Sequence, residues 1–463
     1  MPTFGAGDTF VNLHRDPGAP MTTFAEVEHN SPFSNETDDE RRSRLRTVVA
    51  ASLLGTTVEW YDFFLYATAA SLVFNQLFFP NQSSFVGTML SFATFAVGFL
   101  VRPIGGVVFG HIGDRIGRKK TLALTMFIMG IATALMGVLP TAAQIGVVAP
   151  ILLLLLRILQ GFALGGEWAG AVLLAVEHSP EKKRGLFGSI PQIGLALGLA
   201  LGTGMFALLQ TVFDDDQFLR FGWRIAFVLS LVLVIVGLVV RLKVDETPAF
   251  QAVRDLEQRS SAPLREVFQG KAARNTVLGM LSRWGEGAAF NTWGVFAITY
   301  ATKTLHFEKV PVLLVVTVAA IVMAILLPFS GLLTDRFGPQ RVYIVGIAAY
   351  GLAIFPAFAL FGTENLLLFG VAMVVVFGVI HALFYGAQGT LYASLYPTEI
   401  RYTGLSVVYQ FSGIYASGVT PLILTALIGA SGGSPWLACG YLVATSAISV
   451  VATAAIRKRD LHL

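Results

Sequence analysis

The sequence predicts an all-α membrane protein: twelve transmembrane helices in two pseudo-symmetric six-helix bundles. Three observations carry this. Hydrophobic residues make up 55% of the 463, and Asp, Glu, Lys and Arg only 13%, about half the charge of an ordinary soluble chain. Charge-free runs at 63–101, 121–156, 185–213, 365–398 and 402–456 are each longer than the ~20 residues that one span needs. Two loop motifs of the first half also return in the second at nearly one offset. The same composition excludes disorder and a collagen repeat. The single cysteine, Cys439, excludes an internal disulfide and a cysteine metal cluster.

Turn-forming clusters cut the long runs into spans. Phe79-Pro80-Asn81-Gln82-Ser83-Ser84 divides the first, Pro140-Thr141 with Gln144 the second, and Gly429-Ala430-Ser431-Gly432-Gly433-Ser434-Pro435 the last. The spans fall at 48–75, 84–112, 121–140, 147–178, 184–210 and 222–242 in the first half. Those of the second half fall at 275–302, 309–333, 340–362, 365–394, 401–428 and 435–456. Barrel strands would alternate polar and apolar residues over about ten positions; these runs are continuously apolar, so they are helices. The domain order is a polar, disordered tail 1–47, a six-helix bundle 48–242, a charged linker 243–274, a second bundle 275–456 and a short tail 457–463.

Charge sets the orientation, because Lys and Arg collect on the cytoplasmic side. Of the 32 such residues, Arg220, Arg224, Lys303 and Lys309 fall on one side, and Arg102, Arg157 and Arg283 fall within spans. All the others lie on the opposite side. Both termini are therefore expected in the cytoplasm, with the chain multi-pass in the cell's inner or plasma membrane. The asymmetry accounts for the net charge of +4 without nucleic acid.

The repeat begins with Gly110-His111-Ile112-Gly113-Asp114-Arg115-Ile116-Gly117-Arg118-Lys119-Lys120 after the second span. It returns as Gly331-Leu332-Leu333-Thr334-Asp335-Arg336-Phe337-Gly338 after the eighth. Asp335 follows Asp114 by 221 positions, as Gly338 follows Gly117. Pro180-Glu181-Lys182-Lys183-Arg184-Gly185 is likewise echoed by Pro397-Thr398-Glu399-Ile400-Arg401-Tyr402-Thr403-Gly404, with the last glycine displaced by 219. Parallel duplications of this kind carry solute between the halves, near mid-membrane.

The Gly110–Lys120 loop resembles the signature loop of the major facilitator superfamily. Arg157-Ile158-Leu159-Gln160-Gly161 resembles that superfamily's fourth-helix motif. Glu59-Trp60-Tyr61-Asp62-Phe63-Phe64-Leu65-Tyr66, Arg102-Pro103-Ile104-Gly105-Gly106 and Gly165-Gly166-Glu167 are similar to the metabolite:H+ symporter family. That family takes up organic acids such as shikimate, 2-oxoglutarate and citrate, or zwitterions such as proline and betaine. Arg283-Trp284-Gly285-Glu286 through Ile298-Thr299-Tyr300 resembles its shikimate-transporter-like branch. The resemblance covers about residues 45–455 and implies alternating access, a monomer and no cofactor. It also implies that the loop residues Gly110, Asp114, Arg115, Gly117 and Arg118, with Asp335 and Arg336 in the second copy, form a latch. The fifth span has Pro191, Gly194, Gly198 and Gly202 but no Gly-Pro pair of the kind antiporters often carry, which favours symport.

Ionisable groups inside a bilayer are costly and usually functional. Glu59 and Asp62 lie 11 and 14 residues into the first span, roughly 17 and 21 Å deep at ~1.5 Å per residue. Their spacing of three puts them on one helix face. Arg102 lies at a comparable depth, so the pair is expected to meet it. Glu59, Asp62 and Glu167 are the proton-coupling candidates. Arg157 and Arg283 are the candidates for binding a carboxylate, through the planar guanidinium fork, with Arg102 and Glu286 counted among the solute-binding residues; each of the first two has a rival reading as a buried pair, Arg157 with Glu167 and Arg283 with Glu286. Gln160, Asn291, Tyr385 and Gln388, with Gln192, Tyr409 and Gln410, supply hydrogen bonds to solute or between helices. His381 is expected to be a packed group.

The resulting expectation is proton-coupled uptake of a small carboxylated metabolite. The alternatives are uptake of a zwitterion such as proline or betaine, or an antiporter for drugs or metabolites. No nucleotide loop, metal motif or catalytic triad is present, so no metal, cofactor or enzyme activity is expected. A non-transporting sensor is disfavoured by the short, polar extramembrane segments.

Overall fold

The computed structural model describes residues 38–116, 118–165, 167–177, 179–243 and 263–462. The side chains of some helical residues, among them Gly110, Asp114, Arg115, Arg118 and Glu167, lie outside the described set. Most of the described residues are helical, with no strand among them.

The first half holds α1 (Asp38–Leu72), α2 (Ser84–Ile116), α3 (Arg118–Val138), α4 (Val148–Glu177), α5 (Arg184–Val212) and α6 (Trp223–Lys243). The second holds α7, which runs as Gly270–Asn291, a π turn Thr292–Phe296 and Ala297–Lys303. It continues with α8 (Lys309–Phe337), α9 (Pro339–Phe361), α10 (Leu366–Ala393), α11 (Ile400–Ala430) and α12 (Trp436–Ala455). Among the described residues ten helices are apolar and long enough to span a bilayer; α1 and α7 complete the twelve. These two are the more polar because they carry Glu59 and Asp62, and Arg283 and Glu286. The predicted spans match these helices, with α1 and α7 starting earlier and α2 ending later than their apolar cores.

Local chemistry marks the boundaries. The Asn365 side chain accepts from Leu367 N and Leu368 N at 2.9 and 3.2 Å, a side-chain cap that starts α10. Gly338 joins α8 to α9 at φ +86°, a conformation open to glycine and costly to other residues. Proline at the first turn of α9 then continues the helix without losing a needed donor.

In the first half α2 crosses α4 at backbone distance. A Cβ on Gly161 would strike the Gly98 backbone, and one on Gly105 or Gly165 would strike Phe162 or Arg102. Such small-residue crossings replace the hydrophobic effect, which lipid does not supply between helices. The halves meet along α5 and α8, where Gly185 faces the Gly331 carbonyl and Thr203 shares a 2.7 Å hydrogen bond with Thr317. They meet again along α2 and α11, where Gly418 admits Phe99. The outer surface is apolar: Leu352 is 81% and Leu367 75% exposed, which fits hydrocarbon rather than water.

Candidate solute site

Two small adjoining cavities lie between the halves. One is lined by Thr56, Glu59, Trp60, Arg102, Leu164, Trp168, Tyr409 and Gln410. The other is lined by residues that include Phe63, Phe99, Arg283, Glu286, Phe290 and Asn291. Trp60, Arg102 and Tyr409 belong to both and form the partition between them. Arg102, Arg283, Glu286 and Tyr409 are all buried.

Arg102 is carried in by α2. Its guanidinium carbon lies 4.1 Å from the Phe99 ring centroid, 4.6 Å from that of Phe63 and 5.9 Å from that of Trp60. It forms no ion pair among the described residues, and its Nε has no hydrogen-bond partner. The expected meeting of Arg102 with both α1 carboxylates is therefore only half realised. Glu59 shares a cavity with Arg102, whereas Asp62 does not. A spacing of three leaves two side chains about 60° apart around a helix at 3.6 residues per turn. That angle turns Asp62 into the interior of the first bundle, beside Thr133 and Ser230. Both of its oxygens, and Ser230 Oγ, lack a partner in hydrogen-bond geometry.

Arg157 is also placed away from the cavities. Its guanidinium carbon sits 4.2 Å from the Tyr66 ring, 4.8 Å from Phe63 and 5.0 Å from Phe95, in space that the missing side chain of Gly98 leaves open. It donates to Gln160 Oε1. Gln160 donates onward to Thr133 Oγ1 at 2.8 Å and reaches the Asp62 carbonyl at 3.4 Å. Arg157 and Gln160, expected as solute ligands, thus form a relay inside the first bundle that ends beside Asp62. The alternative pair of Arg157 with Glu167 falls on a side chain outside the described residues.

On the opposite wall α7 presents Arg283, whose Nε lies 3.4 Å from Glu286 Oε2. Arg283 Nη1 donates to Tyr409 O at 3.2 Å and to Ser412 Oγ at 3.1 Å, and its guanidinium carbon lies 3.8 Å from the Tyr409 ring centroid. Asn291 lines the cavity at the last α-helical position before the π turn of α7. Gln388 faces Glu286 from α10. Asn291 Oδ1, both amide atoms of Gln388 and Tyr385 Oη are buried without partners. His381 is ringed by Phe290, Phe377, Phe384 and Tyr385 and is packed as expected, although neither ring nitrogen has a partner.

The face that bears the basic loops is closed by polar contacts between the halves. Asp335 Oδ1 and Oδ2 accept from Gly185 N at 2.6 Å and Leu186 N at 3.0 Å, capping α5. Arg401 pairs with Glu177 at 3.2 Å, and Thr390 donates to Arg184 O at 3.1 Å. On the other face Lys309 pairs with Asp215 at 2.8 Å, and Lys303 donates to Thr88 at 2.5 Å. Arg336 lies on the Phe337 ring rather than on an acid among the described residues. Gly117, and the side chains of Gly110, Asp114, Arg115 and Arg118, lie outside those residues.

Sequence reasoning missed Trp60 and Trp168 as wall residues. Each directly follows an intramembrane acid, Glu59 and Glu167, and that adjacency was the available signal.

Residues 52–417 match the family model of the Major Facilitator Superfamily, and residues 275–461 match it again. The chain is 40% identical to the inner membrane metabolite transport protein YhjE of Escherichia coli, over 81% of this chain and 86% of that one. It is 38% identical to the shikimate transporter of Escherichia coli, over 88% and 94%. It is 37% identical to the proline/betaine transporter of Salmonella typhimurium, over 84% and 79%. A solved structure of the proton:xylose symporter XylE superposes with a TM-score of 0.71 at 17% identity, over 89% of this chain and 95% of that one; at that identity it shows the fold alone. The chain therefore belongs to the Major Facilitator Superfamily, in its metabolite:H+ symporter family, and is a multi-pass membrane transporter rather than an enzyme.

Proposed function

We propose that this transporter takes up a small carboxylated metabolite, shikimate or another organic acid, together with a proton. The observation that carries the reading is Arg102, a buried guanidinium without an ion-pair partner among the described residues, lining both cavities opposite the Arg283–Glu286 pair. Leaving one charge buried alone costs several kcal/mol. A carboxylate entering the cavity supplies the missing charge, and the guanidinium fork holds it in two hydrogen bonds. Arg283, Asn291, Tyr385 and Gln388 complete the solute shell from the second half. The match to a shikimate transporter supports this class.

Asp62 carries the proton in this scheme. It is fully buried, and neither oxygen has a partner, so its anion is exposed to the same cost and a proton removes it. The Arg157–Gln160 pair reaches its backbone carbonyl, Gln160 Nε2 lying 3.4 Å from Asp62 O. Glu59 and Glu167 remain the other carboxyls of the coupling path. With the basic loops in the cytoplasm, loading is from outside, and energy comes from the ion gradient.

A zwitterion such as proline or betaine is the second reading. Glu286 with the rings of Trp60, Phe63 and Phe99 can hold a substituted ammonium by charge and cation–π contact, and the match to a proline/betaine transporter supports it. Uptake into proteoliposomes with an acidic exterior separates the two, using labelled shikimate, 2-oxoglutarate, citrate, proline and glycine betaine. Accumulation of an acid, collapsed by a protonophore, is the expected result. Accumulation of proline or betaine alone selects the second reading, and accumulation only with the gradient reversed points to export.

A further inference from the structure

Tyr409 is held on both faces. The Trp168 ring stacks on it at 3.7 Å and 14°, and the Arg283 guanidinium carbon lies 3.8 Å from its centroid. Both are face-on contacts at van der Waals distance, so the two partners occupy opposite faces. The sandwich thus runs from α4 of the first half, through α11, to α7 of the second. Trp168 is itself fixed by a 3.1 Å hydrogen bond from Nε1 to Gln192 Oε1 on α5. The next residue of α11 makes the companion contact. Gln410 Nε2 donates to the Gly165 carbonyl of α4 at 2.6 Å.

We propose that Tyr409 is a positioning residue that reports occupancy of Arg283 to the closed contact between the halves. The proposal rests on the reading that a carboxylate loads the cavity. Arg283 grips Tyr409 twice, through the ring and through the backbone carbonyl. A carboxylate that takes the guanidinium draws it off the ring. The near-parallel stack with Trp168 then loses the cation that polarises its far face; parallel aromatic pairs are otherwise less favoured than offset or edge-on ones. Because Tyr409 and Gln410 are adjacent on α11, movement of the one disturbs the hydrogen bond of the other to Gly165 of α4. Loading is thereby converted into release of α4 from α11.

The test separates binding from movement in full-length protein. Tyr409→Leu removes the ring, Tyr409→Phe keeps it, and Gln410→Ala removes the hydrogen bond to Gly165. Solute binding is measured in detergent, and counterflow exchange in proteoliposomes without a pH gradient. Amide hydrogen exchange over 167–177 and 400–412 is followed in solute-free protein. Tyr409→Leu is expected to exchange saturating solute at least tenfold more slowly than the parent, with faster amide exchange in both segments. Gln410→Ala is expected to raise amide exchange in the same segments, and Tyr409→Phe to restore counterflow. Exchange at the parent rate in Tyr409→Leu, or amide protection unchanged, overturns the proposal. Loss of binding itself in Tyr409→Leu also overturns it and makes Tyr409 a solute ligand. If the parent protein binds no tested solute, the carboxylate reading is what fails. In that case the amide exchange of the variants still decides whether Tyr409 holds the halves closed.

Discussion

Arg102 and Asp62 are ionisable groups of opposite sign buried in the same half, and neither forms an ion pair among the described residues. A sequence selected only for stability would have paired or deleted them, since a buried unpaired charge is among the costliest features a fold can hold. Their separation suits two different cargoes. In the proposed scheme Arg102, which opens on the cavities, takes the anion, and Asp62, which faces the bundle interior beside Thr133 and Ser230, takes the proton. Replacing Asp62 by Asn mimics the protonated form. Asp62→Asn is expected to keep counterflow exchange and to lose accumulation driven by a pH gradient. Accumulation at the parent level in that variant assigns the proton elsewhere, with Glu59 the next carboxyl to test. Arg102→Ala should remove a charge-assisted contact worth roughly 1.5–3 kcal/mol, or about 10- to 150-fold in solute Kd. Arg102→Lys keeps the charge without the planar fork and should fall between. Isothermal titration distinguishes the three proteins, and equal Kd values would remove Arg102 from the site.

At the scale of the element, the α2–α4 crossing decides where these charges sit. Gly98 and Gly161 let the helices touch, and the same gap at Gly98 admits the Arg157 side chain. Gly161→Ala drives a methyl group into the Gly98 backbone, which cannot yield as a flexible side chain would. The expected cost is about 1–3 kcal/mol, seen as a lower melting temperature of purified protein. Gly440→Ala on α12 meets nothing within 4 Å and should leave the melting temperature unchanged. Equal melting of the two variants would mean that the crossing is looser than the contacts describe. The crossing also shows why some of the site was legible and some was not. Helix count, approximate ends and the duplication followed from charge-free length and from repeated loops, which are one-dimensional signals. The α7 pair Arg283–Glu286 was legible because three residues along a helix bring two side chains together. That rule failed to keep Asp62 with Glu59, because two residues on one broad face can still point to different neighbours. Arg157 was misplaced for a related reason: depth was readable from span position, but azimuth depends on which helix packs where. Its aromatic cage draws on Phe63 and Tyr66 of α1 and Phe95 of α2, residues remote in sequence from α4.

Across the whole molecule, the two faces are closed by unequal devices. On the basic face a charged carboxylate, Asp335, accepts from two backbone amides at the start of α5, where the helix dipole adds to the hydrogen bonds. On the other face the Lys309–Asp215 pair is exposed, with Asp215 75% accessible; such pairs contribute little. The asymmetry predicts that the balance between conformations is set mainly on the basic face. Loss of a helix cap costs about 1 kcal/mol, which shifts a two-state ratio roughly fivefold. Asp335→Ala should therefore populate conformations open on the basic face. Amide exchange over the first turn of α5, residues 184–188, should accelerate, and a reagent that labels cysteine at an introduced Thr390→Cys should react faster. Asp335→Asn keeps one carbonyl acceptor without the charge and should lie between. Lys309→Ala should alter neither readout. If Asp335→Ala leaves both unchanged while Lys309→Ala moves them, the conformational balance is held on the opposite face and the capping argument is wrong. The effect should appear as a shift in populations rather than a loss of solute affinity, because Asp335 touches neither cavity.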